Sequence, residues 1–252
     1  MSTDNQSSSR DAILGKVRVA LKANSGDRAR EIIVNNRLRG HSRNLIPSRA
    51  ALPRDALKSL FKSTLETQSA SVVHIASVNK LALAVGRYLA SHNLEKTVST
   101  GTEPLFDGLN WDGALVTRKL NHTKVPPRGG SSEPTSGDAA RGEDRASLSH
   151  AVAGVGETGT LFLLSGASNP TSLNFLPEHH IVVVRGRDIV GCYEEAWDRI
   201  RKLSETEQKG EVQLPRTVNL ISGPSRTGDI EQTIIMGAHG PRFLHVIIID
   251  ED

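Results

Sequence analysis

The sequence predicts an α/β protein: a largely parallel sheet with helices on its faces, behind a helical N-terminal arm. Three observations predict it. Short β-branched runs alternate with stretches of helical periodicity from Ser71 onward, the pattern of strand–helix–strand units. The apolar runs have strand length and are continuous, as in strands covered on both sides. Apolar residues at 37% and charged residues at 23% of a 252-residue chain suit a folded domain with a substantial core.

After a polar leader, "DAILGKVRVALKA" spaces Ile13, Val17 and Leu21 four apart, one face of an amphipathic helix. Arg28, Arg30, Arg37, Arg39, Arg43 and Arg49 follow. This stretch reads as a solvated helical arm, with anion binding as the other reading. Residues 1–52 are therefore assigned to leader and arm, and residues 53–252 to one α/β domain. Pro53 opens a helix carrying Leu57, Leu60, Phe61 and Leu65. "SVVHIAS" from Ser71 is a strand, "NKLALAVGRYLASHN" a helix repeating Leu81, Val85 and Leu89, and "TVST" from Thr97 a further strand. Residues 121–150, rich in Pro, Gly, Ser and charge, show no apolar period and read as a mobile loop or insertion. Strands are predicted again at Thr160–Gly166, Glu178–Gly186 and Thr217–Gly223. Between the last two lies a helix with Ile189, Tyr193, Trp197 and Ile200 on one face. "QTIIM" and "LHVIIID", flanking "GAHGPR", read as a pair of strands about a tight turn.

Charge and composition exclude several functions. A net charge of +3 spread along the chain, with 4% aromatic residues, offers neither a basic stripe nor a stacking surface, so nucleic-acid binding is not expected. The first residues, "MSTDNQSSSRD", contain no apolar stretch, and no apolar run approaches the about 20 residues of a membrane span. A cytoplasmic location is the simplest expectation. The single cysteine, Cys192, excludes an internal disulfide and an iron–sulfur cluster held by this chain alone. It reads as a packed small hydrophobe within the helix after Ile189.

"AVAGVGETGTLFLLSG" contains Gly154-x-Gly156-x-x-Gly159, the spacing of a dinucleotide-binding loop. Such a loop leaves a strand and opens a helix, so that a pyrophosphate meets the helix N-terminus. Here a β-run, Thr160–Leu164, follows the glycines. The motif reads instead as a glycine-rich turn carrying Glu157 and Thr158 into a strand. Its backbone N–H groups and the Thr158 hydroxyl either face an anionic ligand or serve only the turn.

"ISGPSRTGDIEQ" is the most chemically loaded segment. A strand ends at Ser222, Gly223-Pro224 turns the chain, and Ser225, Arg226 and Thr227 supply two hydroxyls and a guanidinium. At the carboxyl end of a strand in an open α/β sheet, these groups suit a carboxylate or phosphate. Asp229 or Glu231 could act as a base or hold a hydroxyl, or could cap the next element. His239 sits between glycines in the following turn as a candidate acid–base group. His179 and His180 are neighbours on a strand, point to opposite faces and so cannot share a metal. No other ligand pair has metal spacing, and no metal is assigned. Ser165 and Ser222 are not in a G-x-S-x-G elbow, so an esterase is not supported.

Taken together, "AGVGETGTLFLLSG", "LPEHHIVVV", "ISGPSRTGDIEQ" and "GAHGPRFLHVIIID" resemble the lactate utilisation protein C family, the LUD-domain proteins, in order and spacing. The likeness runs from Ala151 to the C-terminus, while the first half resembles the family only in outline. The resemblance implies a Rossmann-like parallel sheet like that of the ribose-phosphate isomerase, glucosamine-phosphate deaminase and CoA-transferase group. It also implies a role in oxidising L-lactate to pyruvate beside iron–sulfur partner subunits, with no cofactor bound by this chain. By matching motifs, Glu157, Thr158, Gly159, Ser222, Gly223, Pro224, Ser225, Arg226, Thr227, Asp229, Glu231, His239 and Gly240 would line a cleft for a small anionic ligand. The alternative is a stand-alone enzyme of that fold acting on a phosphorylated, acyl-CoA or folate-like substrate.

Overall fold

The computed structural model describes residues 4–21, 27–120, 145–204, 214–228, 234–237 and 239–251. The chain divides into two units, Met1–Leu45 and Ile46–Asp252. The first contains helices α1 (Asp4–Ala20) and α2 (Arg28–Gly40). The Asp27 carboxylate caps α2 by accepting the Arg30 amide at 3.2 Å, which satisfies one of the free N–H groups of a first turn. Arg28, Arg30, Arg37 and Arg39 all lie on α2.

In the second unit Pro53, fixed near the φ that a helix start needs, precedes α3 (Arg54–Thr67). Then come β1 (Ser71–Ile75), α4 (Leu81–Ser91), β2 (Thr97–Thr100), β3 (Thr117–Leu120) and β4 (Ala146–His150). A hairpin of β5 (Ala153–Val155) and β6 (Thr160–Leu164) leads to the single-turn α5 (Ser172–Phe175) and to β7 (His179–Arg185). The short β8 (Ile189–Val190), α6 (Tyr193–Leu203) and β9 (Val218–Ile221) follow. The chain closes with β10 (Arg226–Gly228), β11 (Ile234–Met236) and β12 (Phe243–Ile249).

Six strands form one parallel sheet in the order β1-β12-β7-β4-β2-β3. Both faces are apolar. Leu81, Val85 and Leu89 of α4 pack with Leu148, Ile181, Val183 and Ile247 on one face. Leu57, Phe61 and Leu65 of α3 pack with Val72, Val182, Val184, Val246 and Ile248 on the other. Helices therefore cover both faces of a parallel sheet, as expected, and the uninterrupted apolar runs of β7 and β12 follow from burial on both sides.

A second, four-stranded sheet has the order β8-β5-β6-β9, with β6 antiparallel to both its neighbours. The α6 residues Ala196 and Ile200 pack there with Ala153, Val155 and Phe162. The predicted strands at Thr160 and Thr217 thus form, but outside the parallel sheet.

Three local expectations are corrected. Residues 146–150 of the expected insertion are β4, an interior strand of the main sheet; residues 121–144 lie outside the described residues. The strand "ASLSH" escaped the hydrophobic pattern because its serines are buried and satisfied internally. The Ser147 hydroxyl donates to the Leu173 carbonyl at 2.6 Å and the Ser149 hydroxyl to Asn174 Oδ1 at 3.3 Å. Next, β11 pairs with β10, not with β12, which lies between β1 and β7. Finally, Cys192 is buried but occupies the extended N-cap position before α6 rather than the helix itself.

Candidate functional site

The Gly154–Gly159 motif lies on the β5–β6 hairpin beneath α3. An added Cβ at Gly154 would come 2.9 Å from Phe61 Cζ, and one at Gly156 3.2 Å from Leu57 Cδ2. At Gly159, where φ is +63°, it would come 3.1 Å from the Leu65 backbone nitrogen. Leu57, Phe61 and Leu65 are spaced four apart, so successive turns of α3 each press on one glycine. The hairpin amides are also consumed within the fold. Gly156 N–H donates to Val190 C=O at 2.8 Å, Glu157 N–H to Gly191 C=O at 3.2 Å and Gly159 N–H to Val155 C=O at 2.9 Å. The anion-facing version of this turn is therefore corrected for those three amides: the glycines make a packing seam.

Glu157 is likewise engaged, accepting from Arg49 Nη2 at 2.6 Å. Thr158 starts a chain of hydroxyls. Its Oγ1 lies 2.8 Å from Thr160 Oγ1, which in turn lies 2.8 Å from both Ser222 Oγ and the Tyr193 hydroxyl.

The two late turns do converge. Ser225 N–H donates to Pro241 C=O at 2.8 Å, and Gly237 N–H donates to Ser225 C=O at 2.9 Å. Arg226 pairs with Met236 as β10 meets β11. Ser222, Gly223, Pro224, Ser225, Arg226, His239 and Gly240 consequently border one cavity of about 290 Å³. Glu157, Thr158, Gly159 and Thr227 do not border it, and Asp229 and Glu231 lie outside the described residues. The cavity sits at the carboxyl end of β9, as expected of the Ser225 loop. However, β9 belongs to the antiparallel sheet, and the main sheet contributes its amino end, through the paired residues His180 and Leu244 near the starts of β7 and β12.

Arg226 is exposed, and its Nη2 donates to Gln68 Oε1 at 3.3 Å. Gln68, the C-cap of α3, also donates through Nε2 to the Thr158 carbonyl at 3.4 Å. His239 is exposed, and its backbone N–H donates to Ser225 Oγ at 3.4 Å.

Four polar residues of this site escaped sequence reasoning: Gln68, Ser149, Asn174 and His180. Asn174 and His180 border the cavity. The doublet His179-His180 was visible, and alternation does send the two rings to opposite faces. What no spacing reveals is the bonding. Ser149 gives its one hydroxyl proton to Asn174 Oδ1, while His180 Nε2 lies 3.1 Å from Ser149 Oγ. With the Asn174 amide in this orientation, Nε2 is the donor and Nδ1 the acceptor. Both His180 Nδ1 and Asn174 Nδ2 are buried without a partner among the described residues. Burial pushes the His180 pKa down to about 3, so its ring is neutral at pH 7. Two residues that border the cavity thus each carry a buried polar atom without a partner among the described residues, and Arg226 borders the same space. That set suits a small anion bearing a hydroxyl.

Among the described residues no group of three or more His, Cys, Asp or Glu side chains could hold a metal ion. No helix among them is long and apolar enough to cross a membrane.

The LUD domain family model matches residues 59–249, so the likeness begins in α3 rather than at Ala151. "Lactate utilization protein C" of Shouchella clausii is 35% identical over 95 residues, covering 38% of this chain and 39% of that protein. The protein of the same name in Bacillus pumilus is 30% identical over 154 residues, covering 60% and 58%. The chain thus spans about two fifths of the length of the first of these relatives. A crystal structure of a DUF162 family protein from Deinococcus radiodurans superposes with a TM-score of 0.49 at 22% identity, covering 79% of this chain and 99% of that one. With the family model spanning α3 to β12, the chain belongs to the LUD domain family, alongside relatives named lactate utilization protein C.

Proposed function

We propose that this chain is a non-redox subunit of an L-lactate utilisation system and binds a 2-hydroxy carboxylate in the His180–Arg226 cavity. The observation that carries this reading is that Arg226 borders one small cavity with His180 and Asn174, each of which holds a buried polar atom without a partner among the described residues. A carboxylate satisfies Arg226 and Asn174, and the neighbouring hydroxyl donates to His180. With its pKa near 3, His180 orients that hydroxyl rather than storing its proton.

Oxidising lactate to pyruvate releases two electrons and two protons, and the electrons need an acceptor. Cys192 is the only cysteine in the chain and is buried, whereas iron–sulfur clusters are held by about four thiolates. A cluster of that kind would therefore sit on another chain, and in this proposal iron–sulfur partner subunits, which the family resemblance implies, take the electrons while this chain holds substrate or product. The relatives' names support the lactate assignment. A stand-alone enzyme would need its own acid–base group here. Of the candidate acid–base groups, Glu157 is tied to Arg49 and does not border the cavity, whereas His239 does border it.

Isothermal titration of the purified chain with L-lactate tests the binding, with inorganic phosphate as comparison. Saturable heat with lactate, weakened about tenfold or more by Arg226→Ala, is the expected result. Deleting the gene should abolish growth on L-lactate, and unchanged growth would remove the physiological half of the proposal.

A further inference from the structure

A second cavity, of about 510 Å³, lies on the opposite face of the main sheet, between β1 and α4. Consecutive residues of β12 separate the two spaces, since Leu244 borders the first cavity and His245 the second. None of the residues discussed for lactate reaches it.

Its wall is built from rings. Tyr88 stacks on His245 with centroids 4.2 Å apart and planes 18° from parallel, and His92 lies 4.3 Å from Tyr88. Ser71 Oγ sits 2.7 Å from His245 Nδ1 and fixes that ring against the stack. The Tyr88 hydroxyl is turned inward, 2.9 Å from His179 Nδ1. Val73, Ile75 and Ala84 supply aliphatic surface. Arg87 borders the same space, is exposed, and has no hydrogen-bond or ion-pair partner among the described residues. No Asp or Glu lines the cavity, and the carboxylate behind its wall, Asp250, lies 3.1 Å from the lining residue His74.

Ligand pockets of this size combine an apolar or aromatic lining with a few oriented polar groups. The rings of Tyr88 and His245 are buried and stacked on one another, so this wall presents ring edges rather than a free face, and an unpaired guanidinium recognises a carboxylate. From this juxtaposition of an apolar lining and unpaired Arg87, we propose that the β1–α4 cavity is a second binding site, for a mostly apolar monocarboxylate. Its occupancy is independent of the lactate reading, because no residue is shared between the cavities.

The test uses the full chain and 4-fluorobenzoate, followed by fluorine NMR, with 4-fluorobenzyl alcohol as the uncharged comparison. The benzoate should bind saturably and the alcohol at least about tenfold more weakly, the factor set by the lost ionic hydrogen bonds. Arg87→Gln should weaken the benzoate by a similar factor. Ala84→Trp, which fills the space, should abolish binding, and Ser91→Trp at the rim does the same job if Ala84→Trp fails to fold. Absence of saturable binding overturns the proposal. So do equal binding of acid and alcohol, an unchanged affinity in Arg87→Gln, or binding that survives a folded tryptophan variant.

Discussion

Phe61 of α3 leaves room only for glycine at position 154: a Cβ there would lie 2.9 Å from the ring's Cζ. Phe61 is fully buried, so its ring has nowhere to retreat. Gly154→Ala should lower stability by about 1–3 kcal/mol through overpacking, read as a shift in urea midpoint at unchanged slope. Phe61→Leu added to it should recover part of the loss. A neutral Gly154→Ala, or one that acts only through cofactor binding, would contradict the packing seam.

Gly159 answers to a different constraint. With φ at +63°, Gly159→Ala meets left-handed strain of about 1–2 kcal/mol in addition to the contact with Leu65. Gly159→Asn, which tolerates that region better, should cost less than Gly159→Ala if backbone conformation dominates, and as much if the Leu65 contact does. Urea denaturation of the two variants side by side decides between them.

Ser149 holds the polar side of the first cavity. Ser149→Ala removes the partner of His180 Nε2 and of Asn174 Oδ1 at once. Buried groups left unpaired cost about 1–3 kcal/mol, so a clear loss of stability is expected from a single oxygen. Lactate affinity should fall too, because His180 then lacks the bond that makes Nδ1 an acceptor. Titration calorimetry on the folded variant checks the second effect separately from the first.

Acid should destabilise this protein well above the carboxylate range. Burial pushes the pKa of His179 and of His245 down to about 4, and that of His180 to about 3, from an ordinary 6.5. Around His179, Glu178 opposes the shift, and His92 and Arg145 reinforce it; His92 also reinforces that of His245. Between the folded and unfolded values the unfolded chain binds more protons, so stability rises with pH across that window. The urea midpoint should fall steadily from pH 6.5 to about 4. His245→Asn should flatten part of that slope, and an identical slope in the variant would count against the buried neutral ring.

Several elements were legible without coordinates. The four-residue spacing of Leu57, Phe61 and Leu65 and the unbroken apolar run of β12 each allow one secondary structure, because only that structure buries those side chains together. The strand β4 was hidden, since Ser147 and Ser149 look like loop residues until Leu173 and Asn174 are beside them. Of the candidate site, the Ser222–Arg226 and His239–Gly240 turns were readable as polar groups at strand ends. The partners Gln68 and His180 were not, since nothing local distinguishes a helix-capping glutamine or a strand histidine from others of their kind.

By itself, the chain's sequence determined the alternation of helices and strands, the helix-covered parallel sheet and the family, because all three reside in local periodicity and motif order. Only the tertiary structure decided what the glycines are for, which strands join which sheet, and that His180 borders Arg226's cavity while His179 meets the Tyr88 hydroxyl. Those outcomes depend on contacts between residues far apart in the chain, and the energy of such a contact belongs to neither residue alone.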